Sequence, residues 1–117
     1  MQRRQRLSRS RDFDAVYRQG RSVSTRYLTL HWFPRDEDAD GEARLGLAVP
    51  RTVSSSAVVR NRLKRQLRAV WDELRDRTRP GLDYVIIPRP GLVEPVETRG
   101  HEWLRDQVAD VLGKAAG

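Results

Sequence analysis

One segment limits the choice of fold more than any other. Between Pro50 and the Pro80-Gly81 pair, apolar residues recur as Val59, Leu63, Leu67, Val70, Trp71 and Leu74. At about 100° per residue they fall within about a third of a helix circumference. The spacing predicts a long helix over residues 56–78, capped by Ser54, Ser55 or Ser56 and stopped by Pro80 and Gly81. Its apolar side reads as ordinary core, and its other side is crowded with arginine. Immediately after it, residues 82–88 contain Tyr84-Val85-Ile86-Ile87, a near-continuous apolar run. Such a strand is expected at the centre of a sheet, buried on both faces.

Two further strands precede the helix. Residues 26–33 alternate, with Leu28, Leu30 and Trp32 on one side and Tyr27, Thr29, His31 and Phe33 on the other. Residues 44–49 place Leu45, Leu47 and Val49 on one face, while Gly46 and Ala48 leave the opposite face thin. These two strands are predicted to pair as an antiparallel hairpin around the acidic loop at 34–43, with an extra short strand near 22–24 possible. A short first helix is expected over 10–20. Ser10 is its cap, Phe13, Val16 and Tyr17 lie on one face, and Gly20 stops it. Residues 89–97 read as a Pro/Gly-rich loop. A last helix within 98–113 shows Leu104, Val108, Val111 and Leu112 at packing spacing. The expected fold is a small α+β sandwich in the order α-β-β-α-β-α.

At 117 residues and 13.6 kDa the chain is one domain's worth. Residues 1–9 are expected to be a flexible basic tail, and 10–117 a single domain. A transit peptide would share the Arg- and Ser-rich start, but a helix opens at once and no cleavage-like boundary is visible. No apolar run approaches the ~18 residues needed to cross a bilayer, and no secretory h-region is present. With no cysteine, disulfides, thiol catalysis and thiolate metal sites are excluded. A cytoplasmic location is the expectation.

The net charge is +7, and it is segregated. Residues 1–26 carry +6, 27–50 carry −3, 51–79 carry +6 and 80–117 carry −2. Of 23 basic residues only Lys64 and Lys114 are lysine. Arginine offers a planar fork of donors for phosphate and stacks on bases, although a GC-rich genome also enriches it. Segregated charge of this kind marks a polyanion binder. The competing reading is a solvated surface. On the long helix, Arg60, Lys64 and Arg68 follow one another at i, i+4 and i+8, with Asn61 and Arg65 widening that side and Arg62 further round. A row of like charges at that spacing is destabilising in an isolated helix, so a polyanion is expected to meet it.

Arg60-Asn61-Arg62, followed by Leu63-Lys64-Arg65 and Arg68, resembles the RNR signature of the bacterial ribonuclease P protein subunit. Leu45-Gly46-Leu47-Ala48-Val49, the basic turn at Arg51, and the block from Arg6-Leu7 through Asp12-Phe13 and Val16-Tyr17 to Gly20 are in that family's order. The resemblance spans about residues 6–88. It implies a left-handed β-α-β crossover, against the usual right-handed rule. It implies that the chain is the protein subunit of an endoribonuclease holoenzyme that removes the 5′ leader of precursor tRNA, with catalysis in the RNA subunit. By that resemblance Arg60, Asn61, Arg62, Lys64, Arg65 and Arg68 face the RNA subunit. Arg11, Phe13, Tyr17, His31 and Arg51 would line a cleft for the single-stranded leader. Phe13 and Tyr17 fit core as well as cleft, and His31 also fits a solvated strand face. Thr52 departs from the family's usual second basic residue.

No catalytic residue is expected in the protein. His31 and His101 are the only histidines and have no acid/base partner at fixed spacing. The acids of 36–42 read as a solvated loop, and no metal site is expected on the chain. Magnesium would be held by the RNA subunit and substrate. The protein is expected to be monomeric, one per RNA subunit. The rival readings are a ribosome- or DNA-associated basic protein using the same helix in a groove and, more distantly, a membrane-surface helix.

Overall fold

The computed structural model describes residues 18, 20–34 and 41–116. The predicted tail at 1–9, the first helix at 10–20 apart from its last residues, and most of the acidic loop lie outside the described residues. Strands β1 (Arg21–Ser24), β2 (Leu28–Pro34) and β3 (Arg44–Leu47) come first. Helix α1 (Ala57–Glu73), a 3-10 turn (Arg75–Arg77), β4 (Leu82–Pro88), α2 (Val93–Arg99) and α3 (His101–Ala116) follow. The fold is mixed α+β, and the short strand expected near 22–24 is present as β1.

The sheet order is β1-β2-β4-β3. β4 pairs antiparallel with β2 and parallel with β3. The expected hairpin between the second and third strands is therefore not formed. β4 is apolar on both faces, and it takes the central position between them. A parallel pair needs a long crossover, which α1 supplies between β3 and β4.

One face of the sheet and the helices share a single core. Leu28, Leu30, Leu45, Tyr84 and Ile86 pack with Leu63, Leu67, Val70, Trp71 and Leu74 of the α1 region and with Leu104, Val108, Val111 and Leu112 of α3. Trp71 meets Tyr84 edge-on, with ring centroids 5.0 Å apart. The α1 stripe foreseen from the sequence enters this core from Leu63 onward, while Val59, in the first turn, is only half-buried.

α1 begins where Ser56 Oγ accepts from the Val59 amide at 3.3 Å. This satisfies one of the amides a helix start leaves unpaired. The helix ends earlier than the spacing suggested. The Leu74 amide is shared between the Val70 and Trp71 carbonyls, and the chain tightens into the 3-10 turn. Residues 89–97 also differ from expectation, since the stretch from Val93 onward belongs to α2. Pro95 lies in the first turn of α2, where its missing N–H has no partner to lose. Gly100 follows the helix with φ 86°, the left-handed backbone that ends many helices. The Pro and Gly that resembled a loop are punctuation for a short helix.

A candidate RNA interface

The buried stripe of α1 fixes what its other side presents. Asn61, Arg62 and Arg65 are exposed, while Arg60, Lys64 and Arg68 flank them half-buried. The six residues singled out in the sequence therefore lie together along one helix, outside the core. They are not equivalent. Arg60 Nη1 donates to the Ser54 carbonyl at 2.9 Å, which ties the guanidinium to the loop before the helix. Arg62 Nη2 pairs with Glu97 of α2 at 2.8 Å, both side chains about half-exposed. That loop also carries Arg51, exposed in a turn closed by the Val53 amide on the Pro50 carbonyl at 3.0 Å. Arg51 and the RNR segment are thus joined by a short, hydrogen-bonded connection.

The second face of the sheet carries the remaining described candidate. Register places Ser22, His31, Val85 and Gly46 in one row across the four strands. Gly46 keeps this row thin, as its sequence suggested. Val85 is fully buried, with Phe33 and Ile87 packed against it. His31 is half-buried, and burial pulls its pKa below the ordinary value. At neutral pH it therefore offers a neutral aromatic ring rather than a charge. Arg11, Phe13 and Tyr17 lie outside the described residues.

One feature of this face was missed in the sequence. Arg44 Nε and Nη2 donate to the two carboxylate oxygens of Asp83 at 2.7 and 2.6 Å. Asp83 is buried, and the pair joins β3 to β4 near the start of both strands. The signal was a lone carboxylate inside an otherwise apolar strand. Its partner could be found only after the two strands were known to be neighbours.

The structure also shows how α1 and α3 are held. Glu73 bonds the His101 ring, and Arg105 Nε lies 3.5 Å from its other oxygen. Among the described residues no helix is long and apolar enough to cross a membrane, and no cluster of three His, Asp or Glu could hold a metal ion.

Both the sequence and the fold have counterparts among known proteins. Residues 1–116 match the family described as Ribonuclease P. A "Ribonuclease P protein component" of Synechococcus elongatus is 40% identical over 109 residues, covering 92% of this chain and 87% of that protein. The one from Shouchella clausii is 36% identical over 115 residues, covering 98% and 88%. The solved RNase P protein of Thermotoga maritima superposes with a TM-score of 0.81 at 29% identity, over 93% of this chain and 96% of that one. The match runs the length of the sequence and includes the RNR helix and the crossover that carries it, and on that ground the chain belongs to the ribonuclease P protein family.

Proposed function

We propose that this chain is the protein subunit of a ribonuclease P holoenzyme in the cytoplasm. It binds the catalytic RNA subunit through the outer face of α1 and assists removal of the 5′ leader of precursor tRNA. The observation that carries this reading is the basic side of α1. It presents Asn61, Arg62, Lys64 and Arg65 on a rigid, core-anchored helix in a chain that belongs to this family. Phosphates are well matched by arginine forks, and a helix fixed by its buried stripe presents them without first having to order itself.

The leader is held in this reading at the second face of the sheet, where His31 supplies a neutral ring and Arg51 a charge, together with Arg11, Phe13 and Tyr17. Single strands are held by aromatic platforms beside a positive groove. The magnesium ions that activate water are held by phosphates of the RNA subunit and substrate, and the protein raises their affinity by positioning those phosphates. One protein molecule serves each RNA subunit.

Reconstitution is the test. The chain is combined with a bacterial ribonuclease P RNA, and 5′ cleavage of a precursor tRNA is followed at low magnesium. Cleavage that depends on the protein supports the reading. Binding to that RNA no tighter than to ribosomal RNA or duplex DNA would sink it in favour of a general nucleic-acid binder.

A further inference from the structure

The basic segment that includes α1 does not end with the RNR face. Arg75, Arg77 and Arg79 continue past the helix, and the proposed function makes no use of them. Arg79 lies on the rim of a pocket of about 320 Å³ at the end of α1 opposite Arg60. Its walls include Arg21 of β1, Trp32 and Pro34 of β2, and Arg79, Pro80 and Leu82. Trp32 is half-buried and lies across from Arg21 in the strand register.

The composition of these walls is specific. Apolar surface comes from an indole, two prolines and a leucine. Charge comes from two exposed arginines, and among the described residues the lining has no carboxylate. Among the described residues neither Arg21 nor Arg79 has an ion-pair partner, whereas Arg44, Arg62 and Arg75 each do. The wall is also fixed in place. The Arg79 amide donates to Tyr84 Oη at 3.2 Å, the Gly81 amide to the Gly41 carbonyl at 2.7 Å, and Thr78 Oγ1 to the Arg75 carbonyl at 2.6 Å. Gly81 takes a positive φ of 79° to make this turn. The volume is at the lower end of small-ligand pockets, which begin at about 300 Å³.

We propose that this pocket binds one nucleotide of a single-stranded RNA segment. The base stacks against Trp32, and the flanking phosphates lie on Arg21 and Arg79. An indole sharing one pocket with two guanidinium groups that have no ion-pair partner among the described residues supplies both elements of single-strand recognition, a stacking platform and a positive rim. The site lies away from the RNR face, and Trp32 stands on the opposite face of β2 from His31. It gives the protein a second grip on RNA at the far end of α1. The RNA-binding reading above underlies this assignment, and the experiment separates the two.

The indole N–H resonances of Trp32, Trp71 and Trp103 are resolved by NMR and assigned with Trp32→Phe. A hexa-adenylate ribonucleotide is then titrated into the full chain. The expected result is a saturable shift of the Trp32 signal while buried Trp71 stays still. Arg21→Glu combined with Arg79→Glu should weaken that response about tenfold and leave the Trp71 signal, which reports the core, unchanged. Response of the Arg62 and Arg65 amides with no movement at Trp32 would overturn the pocket and keep the RNR reading. An unweakened Trp32 response in the double variant would also overturn it. Silence at both places would remove the RNA-binding reading itself, and the pocket with it.

Discussion

At the scale of single residues, Asp83 shows best what the sequence conceals. Its neighbours Tyr84, Val85, Ile86 and Ile87 made the strand legible as buried, and the carboxylate among them went unread. The structure resolves this with Arg44, which meets both carboxylate oxygens. Removing one partner of a buried pair leaves the other charge without compensation, at a cost of about 3–5 kcal/mol. Arg44 retains 27% of its side-chain exposure, so Arg44→Met is expected at the lower end of that range, and its midpoint in urea should fall accordingly. His31 gives a pH prediction. Its folded pKa is below the unfolded value of about 6.5. Above that pH the ring is neutral in both states and its contribution is intact. As pH falls through 6.5 the unfolded chain takes the proton first, so stability declines. Melting temperatures of the wild type and His31→Gln between pH 7.5 and 5.5 check this. The wild type should lose more over that interval. Equal losses would place the titration elsewhere.

At the scale of elements, α1 was readable because one pattern decided it. A stripe at helical spacing and a serine cap agreed on the helix and its start, while the Pro-Gly stop overran its end, which falls at Glu73. The cap is expected to be worth about 0.5–2 kcal/mol, so Ser56→Ala should lower stability by that amount without changing the helix's outer face. Urea unfolding of the variant beside the wild type measures the difference. α2 was unreadable for the opposite reason. Seven residues hold too little periodicity, and Pro95 speaks against a helix unless its place in the first turn is known. Yet α2 matters to the interface, because its Glu97 holds Arg62. An exposed pair of this kind contributes at most about 1 kcal/mol, so Glu97→Ala should barely alter folding. It should instead strengthen binding to the RNA subunit about two- to fivefold, because it frees Arg62 and removes a negative charge from the face. Filter binding at fixed salt measures this. A weaker complex would mean that Glu97 holds Arg62 in the productive orientation.

At the scale of the whole molecule, strand composition was legible and strand order was not. Alternation in β2 and the unbroken apolar run in β4 reported which faces are buried. Neither says that the chain returns through α1 to insert β4 between β2 and β3, since pairing partners are chosen by the assembled core. The charge distribution depends on that return. It folds the second basic segment into two ends of one helix region, with Arg51 and the RNR residues at the start and Arg75, Arg77 and Arg79 at the finish. The acidic remainder includes the carboxylates that hold Arg44 and Arg62. The +7 net charge is therefore less informative than the placement of the exposed cations. If about six of these neutralise phosphates, the logarithm of RNA affinity should fall with the logarithm of salt at a slope of about −4 to −5, each phosphate contributing about −0.7 to −0.9. Arg62→Ala with Arg65→Ala should flatten the slope by about 1 for each phosphate no longer neutralised, and Arg21→Glu with Arg79→Glu should flatten it independently. A slope unchanged by either pair would mean that affinity arises from groups other than these cations, whereas a slope changed by only one pair would identify which end of α1 carries the phosphate.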